Sequence, residues 1–272
     1  MKGFSLTPSC LRSLREHRTL LWRLTQREVI GRYRGSILGW GWSLLNPLLM
    51  LGVYTFVFST VFKARWPDLQ QSGPLGFAIN LFAGLIVFGL FSECVSRAPT
   101  LILSQPSYVT KVVFPLEVLS GVAVGAATFH ACTSLVVLAG FELIATGMMP
   151  VTALWLPLVW MPLILGCLAL CWLLSALGVF LRDLPQLVSV SLSMLMFLSA
   201  VFYPISALPE RWQPLLLANP LVIVIEQTRQ VLVRGQQPSS SYLCIGIPVA
   251  LFCCEMCFRL FQKARRGFAD VI

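Results

Sequence analysis

The sequence predicts an all-α, polytopic membrane protein: six transmembrane helices, an N-terminal amphipathic interface helix, and a re-entrant hairpin between helices five and six. Three observations carry this prediction. Hydrophobic residues make up 57% of the 272 residues and charged ones only 11%, against about 25% charged in a soluble domain. The apolar residues gather into uncharged runs of roughly 20, the length that crosses a bilayer core as a helix. Short polar segments separate these runs, so no sizeable extramembrane domain is left over and the chain reads as one membrane domain.

Residues 1–35 are basic, and at helical spacing Leu11, Leu14, Leu21 and Leu24 share one face while Arg12, Glu16, Arg23 and Arg27 gather opposite. Such a helix lies in the headgroup plane, as an anchor or as a docking surface for a cytoplasmic partner. The segment has neither the continuous apolar core nor the cleavage site of a signal peptide, and is expected to stay in the mature protein.

The membrane domain is expected to cover 36–272. Its first span, 36–62, carries no charge, with Trp40 and Trp42 near its start and Trp66 just past its end, where interfacial aromatics sit. The second, 75–92, stops at Glu93. The third, 118–145, meets Glu142 late, and the fourth, 153–181, contains Pro157 and Pro162, which predict a kinked start. The fifth, 186–202, is short and ends at Tyr203 and Pro204; the sixth, 242–261, contains Glu255 and Arg259. Between these two, Leu215 to Ile225 is apolar but too short to cross, and Pro204, Pro209, Pro214 and Pro220 interrupt its surroundings. That pattern predicts a re-entrant or interfacial hairpin. Gly31, Gly35 and Gly39, and again Gly121 and Gly125, lie four apart, a spacing that suits close helix approach within one protomer or between two.

An even number of spans puts both termini on one side. Fifteen Lys and Arg fall on the side of the termini and five on the other, so both termini are expected in the cytoplasm. The formal charge of +9 therefore reads as a membrane-topology signal, not as a nucleic-acid footprint. Of the nine cysteines, Cys132, Cys167, Cys171, Cys253 and Cys254 lie inside apolar runs, where cysteine is a small hydrophobe; Cys254 and Cys257 form a lone C-x-x-C without the second pair or nearby histidine of a zinc site.

A membrane-embedded enzyme, such as a transferase acting on polyprenyl lipids, needs clustered carboxylates, histidines or metal ligands. The chain has two histidines, His17 and His130, far apart in sequence, and His130 within a span reads first as a side chain bonded to a neighbouring helix. No phosphate-binding G-x-x-x-x-G-K-[ST] string occurs, so any ATP and Mg are expected on a separate ATPase chain. An ion-coupled flippase would place acids mid-span, whereas Glu93, Glu117, Glu142, Glu226 and Glu255 fall mostly near expected span ends. Aromatic residues crowd the first span and its approach: Tyr33, Trp40, Trp42, Tyr54, Phe56 and Phe58. Ring faces suit sliding contact with sugars, and equally suit a lipid interface.

Specific strings narrow the reading. Arg27-Glu28, Arg32-Tyr33-Arg34, Gly35-Ser36-Ile37-Leu38-Gly39, Trp42 and Asn46-Pro47-Leu48 open the chain; Lys111-Val112-Val113-Phe114-Pro115-Leu116-Glu117 precedes the third span. Arg182-Asp183-Leu184, Tyr203-Pro204-Ile205, Leu208-Pro209, Asn219-Pro220-Leu221 with Glu226 and Arg229, and Phe268-Ala269-Asp270 follow in order. In this order and spacing the chain resembles, over nearly its whole length, the ABC-2 type permeases that export polysaccharides. O-antigen exporters are nearest, with capsule and teichoic-acid exporters as relatives.

The resemblance implies a homodimer of permeases carrying two ABC ATPase subunits in a bacterial inner membrane. Such a complex moves an undecaprenyl-pyrophosphate-linked polysaccharide to the periplasmic side. It implies a substrate path between protomers, for which Trp40, Trp42, Tyr54, Phe58, Phe197 and Tyr203 are candidates. Arg27, Arg32 and Arg34 are candidates to receive the lipid pyrophosphate. Leu101, Ser104, Tyr108 and Lys111 would couple to the ATPase, and Pro204, Pro209, Asn219 and Pro220 would form a periplasmic gate.

Overall fold

A computed structural model describes residues 9–57, 73–110, 114–147 and 149–271. Among these the chain is helical almost throughout and forms no strand. Phe58, Lys63, Arg65, Trp66 and Lys111 lie outside the described residues.

The N-terminal segment is two helices and not one: α1 (Ser9–Glu16) and α2 (Arg18–Tyr33) meet at His17, which leaves helical geometry with φ −101° and ψ 19°. The proposed leucine face is accordingly divided. Leu14 and Leu21 lie over Gly121, while Leu11 is exposed. After α2, Gly35 (φ +85°) and Gly39 (φ +49°) take the left-handed backbone that glycine adopts without strain. The expected start of span one at residue 36 therefore moves: its helix, α3, runs Trp42–Thr55 after a 3-10 turn at Gly39–Gly41. Absence of charge extended the sequence estimate across a glycine-built turn. Among the described residues of the chain nothing comes within 4 Å of a Cβ at Gly31, Gly35 or Gly39, so this triplet is not a packing seam within one protomer.

Helix α4 (Gly73–Arg97) is apolar on all sides from Leu81 to Phe91, with Glu93 and Arg97 confined to its last turns, and its side chains from Phe77 to Val95 are largely buried. A helix without a polar face belongs in the middle of a bundle, and α4 packs on α3, α6, α7, α8 and α10. A 3-10 turn (Ala98–Thr100) and the short α5 (Pro106–Thr110) lead to α6 (Glu117–Thr146), which Gly147 ends at φ +75°. Helix α7 (Leu156–Phe180) follows a 3-10 turn at Val151–Trp155. Pro157 sits in its first turn, where a missing N–H costs nothing, and so begins the helix instead of kinking it; Pro162 lies inside it. Helix α8 (Leu184–Leu198) buries only the stripe Leu184, Val188 and Leu192.

The chain then turns at Ala200 (φ +51°) and passes through a 3-10 turn (Ile205–Ala207) and the five-residue α9 (Gln213–Leu217). It enters α10 (Pro220–Leu232), a buried helix that runs a further seven residues beyond the apolar limit at Ile225. Its arginine is held by the main chain: Arg229 is fully buried and donates to the carbonyls of Asn80, Ala200 and Val201 at 3.1, 3.1 and 2.8 Å. Helix α11 (Ser240–Ala264) packs along α7 and turns Ile245, Val249, Phe252, Met256 and Leu260 outward. That outward stripe is the expected face toward lipid.

Four helical stretches among the described residues are long and apolar enough to cross a membrane: Gly76–Thr100, Glu117–Ile144, Val151–Phe180 and Ser240–Phe268; Leu184–Leu198 is apolar but shorter. They correspond to expected spans two, three, four, six and five. The bundle has two distinct ends. At one, α1, the start of α6 and the last residues converge on Glu117, which accepts from Ser13 Oγ (3.2 Å) and Arg265 Nη1 (3.0 Å), while its carbonyl accepts from Trp172 Nε1 (3.0 Å). The same end holds α5, which touches the C-terminal 3-10 turn Arg265–Asp270. At the other end α10 packs on α4 and α7, and the start of α11 lies against α7. Thr152 Oγ1 donates to Val231 O (2.7 Å), Trp160 Nε1 to Thr228 Oγ1 (3.2 Å) and Tyr242 Oη to Val159 O (2.8 Å).

Candidate functional site

Helix α2 lies in the groove between α4 and α6, and small side chains make that approach possible. A Cβ at Gly121 would come within 2.6 Å of Leu21 Cδ1, and one at Gly125 within 3.0 Å of Thr25. The Gly121 and Gly125 pair thus serves contact within one protomer. One turn further along α2, charged residues meet charged residues. Glu28 pairs with Arg97 of α4, and Arg32 Nη1 donates to Glu93 Oε1 at 2.5 Å. His130 of α6 closes the group, with Nδ1 2.9 Å from Glu93 Oε1 and 2.8 Å from Arg32 Nη1. The expectation that His130 bonds a neighbouring helix is met by Glu93.

Above this group α2, α3, α4 and α6 enclose a cavity of about 430 Å³. Its polar lining comes from Arg32, Asn46, Glu93, His130 and Ser134, and its aromatic lining from Tyr33, Trp42, Tyr54 and Phe82. Burial raises the Tyr33 phenol above its ordinary pKa, so it presents a neutral hydroxyl. A second cavity, about 400 Å³, lies beside the first and is lined by Arg27, Glu28, Gly31, Arg32, Arg97 and His130. Chemically the upper chamber pairs flat rings with planar hydrogen-bonding groups, which suits hydroxyl-rich ligands; the lower one carries an excess of guanidinium groups, which suits anions.

The candidate residues from the sequence divide accordingly. Trp42 and Tyr54 line the upper chamber, while Trp40 stands next to it, its ring 6.1 Å from Tyr33 and 5.8 Å from Phe129. Phe197 and Tyr203 are not among its lining residues: Tyr203 Oη donates to Phe197 O at 2.7 Å, and the Phe197 ring packs 5.6 Å from Phe202 at the far end of α8. Arg32 lines both cavities and is neutralised by Glu93; Arg27 lines the lower one; Arg34 stands exposed at the C-terminus of α2. Leu101 and Ser104 form the bend after α4, where Ser104 Oγ donates to Leu101 O (3.2 Å), and the Tyr108 ring stacks on Phe114 at 4.4 Å. Phe58 and Lys111 lie outside the described residues.

Tyr203, Ile205 and Leu208, chain neighbours of Pro204 and Pro209, pack on a small separate core of Ala200, Leu216 and Val222; Asn219 and Pro220 begin α10. Asn219 caps α10 by accepting from Leu221 N (3.0 Å) and ties it to α8 by donating to Leu198 O (3.3 Å) and Ser199 Oγ (3.1 Å). Sequence reasoning did not single out Glu93, Arg97 or Asn46 as site residues, and it set a bond to a neighbouring helix ahead of a substrate path for His130. The available signal was an acid and a histidine in or beside apolar spans, which membranes tolerate only when the groups are paired or functional.

Helices of this length and polarity, packed around a polar chamber, define an integral membrane protein. The chain belongs to the ABC-2 type transporter family, whose pattern it matches over residues 19–233. It is 32% identical to the O-antigen export system permease protein RfbA of Myxococcus xanthus over 267 residues, covering 96% of this chain and 98% of that protein. The protein of the same name from Klebsiella pneumoniae is 24% identical, with 93% and 95% covered. The polysialic acid transport protein KpsM of Escherichia coli is 25% identical, with 88% and 92% covered.

Proposed function

We propose that this chain is the permease subunit of an ATP-driven exporter that carries an undecaprenyl-pyrophosphate-linked polysaccharide, O antigen in the first instance, from the cytoplasmic to the periplasmic side of a bacterial inner membrane. The observation that carries the reading is the aromatic and polar chamber beside a guanidinium-lined pocket, set in an otherwise apolar bundle. Near full-length similarity to O-antigen export permeases supports it. A lipid-linked sugar has the same two parts, a diphosphate that needs cations and a carbohydrate that needs weak, slidable contacts.

In this reading two copies of the chain form the conduit, because a long polymer needs a continuous path. Two ABC ATPases bind ATP and Mg and dock at the end where α1, α5 and the C-terminal turn converge. That end faces the cytoplasm, as the excess of Lys and Arg there favours. Six spans follow from counting α3 and α8 with the four long helices. Arg27, Arg32 and Arg34 receive the pyrophosphate, and the segment from Pro204 through α10 acts as a re-entrant periplasmic gate. Export of a capsular polymer is the second reading, favoured by the similarity to KpsM.

The test is a deletion strain examined for surface polysaccharide and for lipid-linked polymer retained inside. Loss of O antigen from the surface, with restoration by the intact gene and poor restoration by Arg32→Gln with Arg34→Gln, is expected. Unchanged surface polysaccharide overturns the reading; loss of capsule alone selects the second.

A further inference from the structure

The two cavities share Arg32 and His130, so these side chains form the partition between them. The partition belongs to a short ladder of charge. Glu28 and Arg32 lie one turn apart on α2, Arg97 and Glu93 one turn apart on α4, and each acid faces the base of the other helix. Its upper rung is not closed on itself. Nδ1 of His130 is in contact with both Arg32 Nη1 and Glu93 Oε1, at 2.8 and 2.9 Å. A guanidinium only donates and an ionised carboxylate only accepts. One ring nitrogen therefore satisfies one neighbour and opposes the other, whichever tautomer it adopts and also when the ring is charged. Removing Arg32 from the group relieves that conflict, because His130 then donates to Glu93 without a competing cation.

The lower cavity offers Arg32 somewhere to go. Arg27, Arg32 and Arg97 line it against the single acid Glu28. A multivalent anion placed there competes with the carboxylates for Arg97 and Arg32 at once, by the same bidentate hydrogen bonding.

We propose that Glu28 and Glu93 are displaceable counter-ions: a diphosphate entering the lower cavity takes Arg97 and Arg32 from them, and withdrawal of Arg32 opens the partition to the aromatic chamber. The inference rests on the export reading for its ligand, a diphosphate, but its test does not measure export.

The test is titration of the full chain in lipid nanodiscs with inorganic pyrophosphate and, in a second arm, with a short prenyl diphosphate. Arg97→Gln is expected to weaken binding about tenfold, the loss of one charge-assisted contact. Glu28→Gln and Glu93→Gln are expected to strengthen it several-fold, because the bases no longer have to leave an acid. Opposite shifts from the two halves of one ion pair support displacement. Equal or same-direction shifts, as a purely structural pair gives, overturn it, and the two acid variants decide the matter even where Arg97→Gln fails to fold. Tighter binding of the prenyl diphosphate supports a lipid source; binding of inorganic pyrophosphate alone supports displacement by a free phosphate. Same-direction shifts with normal export overturn the displacement alone, whereas opposite shifts with unchanged surface polysaccharide on deletion overturn the export reading alone.

Discussion

Arg229 of α10 and Gly84 of α4 meet so closely that a methyl group on Gly84 would lie 2.9 Å from Arg229 Nη2. The guanidinium cannot yield, because three carbonyls hold it. Gly84→Ala is expected to lower the apparent melting temperature of the purified protein, as is Arg229→Met. The second change leaves the carbonyls of Asn80, Ala200 and Val201 without their donor, at a cost of about 3–5 kcal/mol. A melting temperature equal to that of the unsubstituted protein for both variants would show that the arginine does not join α10 to α4.

Two other glycines separate close packing that can relax from close packing that cannot. A Cβ on Gly178 of α7 would collide with the carbonyl oxygen of Pro99 and lie 2.8 Å from its carbon, whereas one on Gly121 would meet the ends of the flexible Leu21 and Leu14 side chains. Gly178→Ala is therefore expected to destabilise by about 3 kcal/mol and Gly121→Ala by less than about 1 kcal/mol. Unfolding of both variants in the same detergent checks the order, and a reversed order would contradict this account.

The apolar runs gave the positions of the long helices, since a bilayer requires about 20 uncharged residues per crossing. What they missed has physical reasons. Ser36 to Gly41 is uncharged yet turns, because Gly35 and Gly39 take positive φ. Helix α10 continues past Glu226 and Arg229 because Arg229 donates to main-chain carbonyls that no sequence window contains, and Glu226 pairs with Arg234 at 2.7 Å. The chamber was half legible: Trp42 and Tyr54 stood out as aromatics in span one, but Glu93 and His130, 37 residues apart, become partners only through the packing of α4 on α6. Arg32 was legible as a cation and not as one already paired.

Two carboxylates hold the first helix to the bundle. Glu255 of α11 accepts from Ser9 Oγ and from Cys10 N (3.1 Å), satisfying the start of α1, and Glu117 of α6 accepts from Ser13 Oγ one turn later. Glu117 is buried and also binds Arg265, so Glu117→Ala leaves two elements loose, while Glu255→Ala frees one. Limited proteolysis of the protein in nanodiscs is expected to cut near the N-terminus faster in both variants. C-terminal cutting is expected to rise only in Glu117→Ala, and identical patterns in the two would mean that Glu117 does not bridge the termini.

The chamber makes the last prediction a matter of position. Trp42 and Tyr54 line it, while Phe197 stands at the far end of α8 with its carbonyl engaged by Tyr203. An aromatic face contributes about 0.5–1.5 kcal/mol to a stacked contact, which corresponds to a factor of roughly 2–10 in occupancy. If the proposed export function holds, Trp42→Ala and Tyr54→Ala are each expected to lower the rate at which polymer appears at the surface by about that factor, with the amount of protein in the membrane unchanged. Tyr54→Phe keeps the ring and is expected to fall between Tyr54→Ala and the unsubstituted protein. Phe197 lines neither cavity, so the effect of Phe197→Ala on export separates the chamber from the proposed path between protomers. If Trp42→Ala and Tyr54→Ala both export at the normal rate, the polymer does not pass the chamber and the aromatic lining belongs to the packing of α3 on α4.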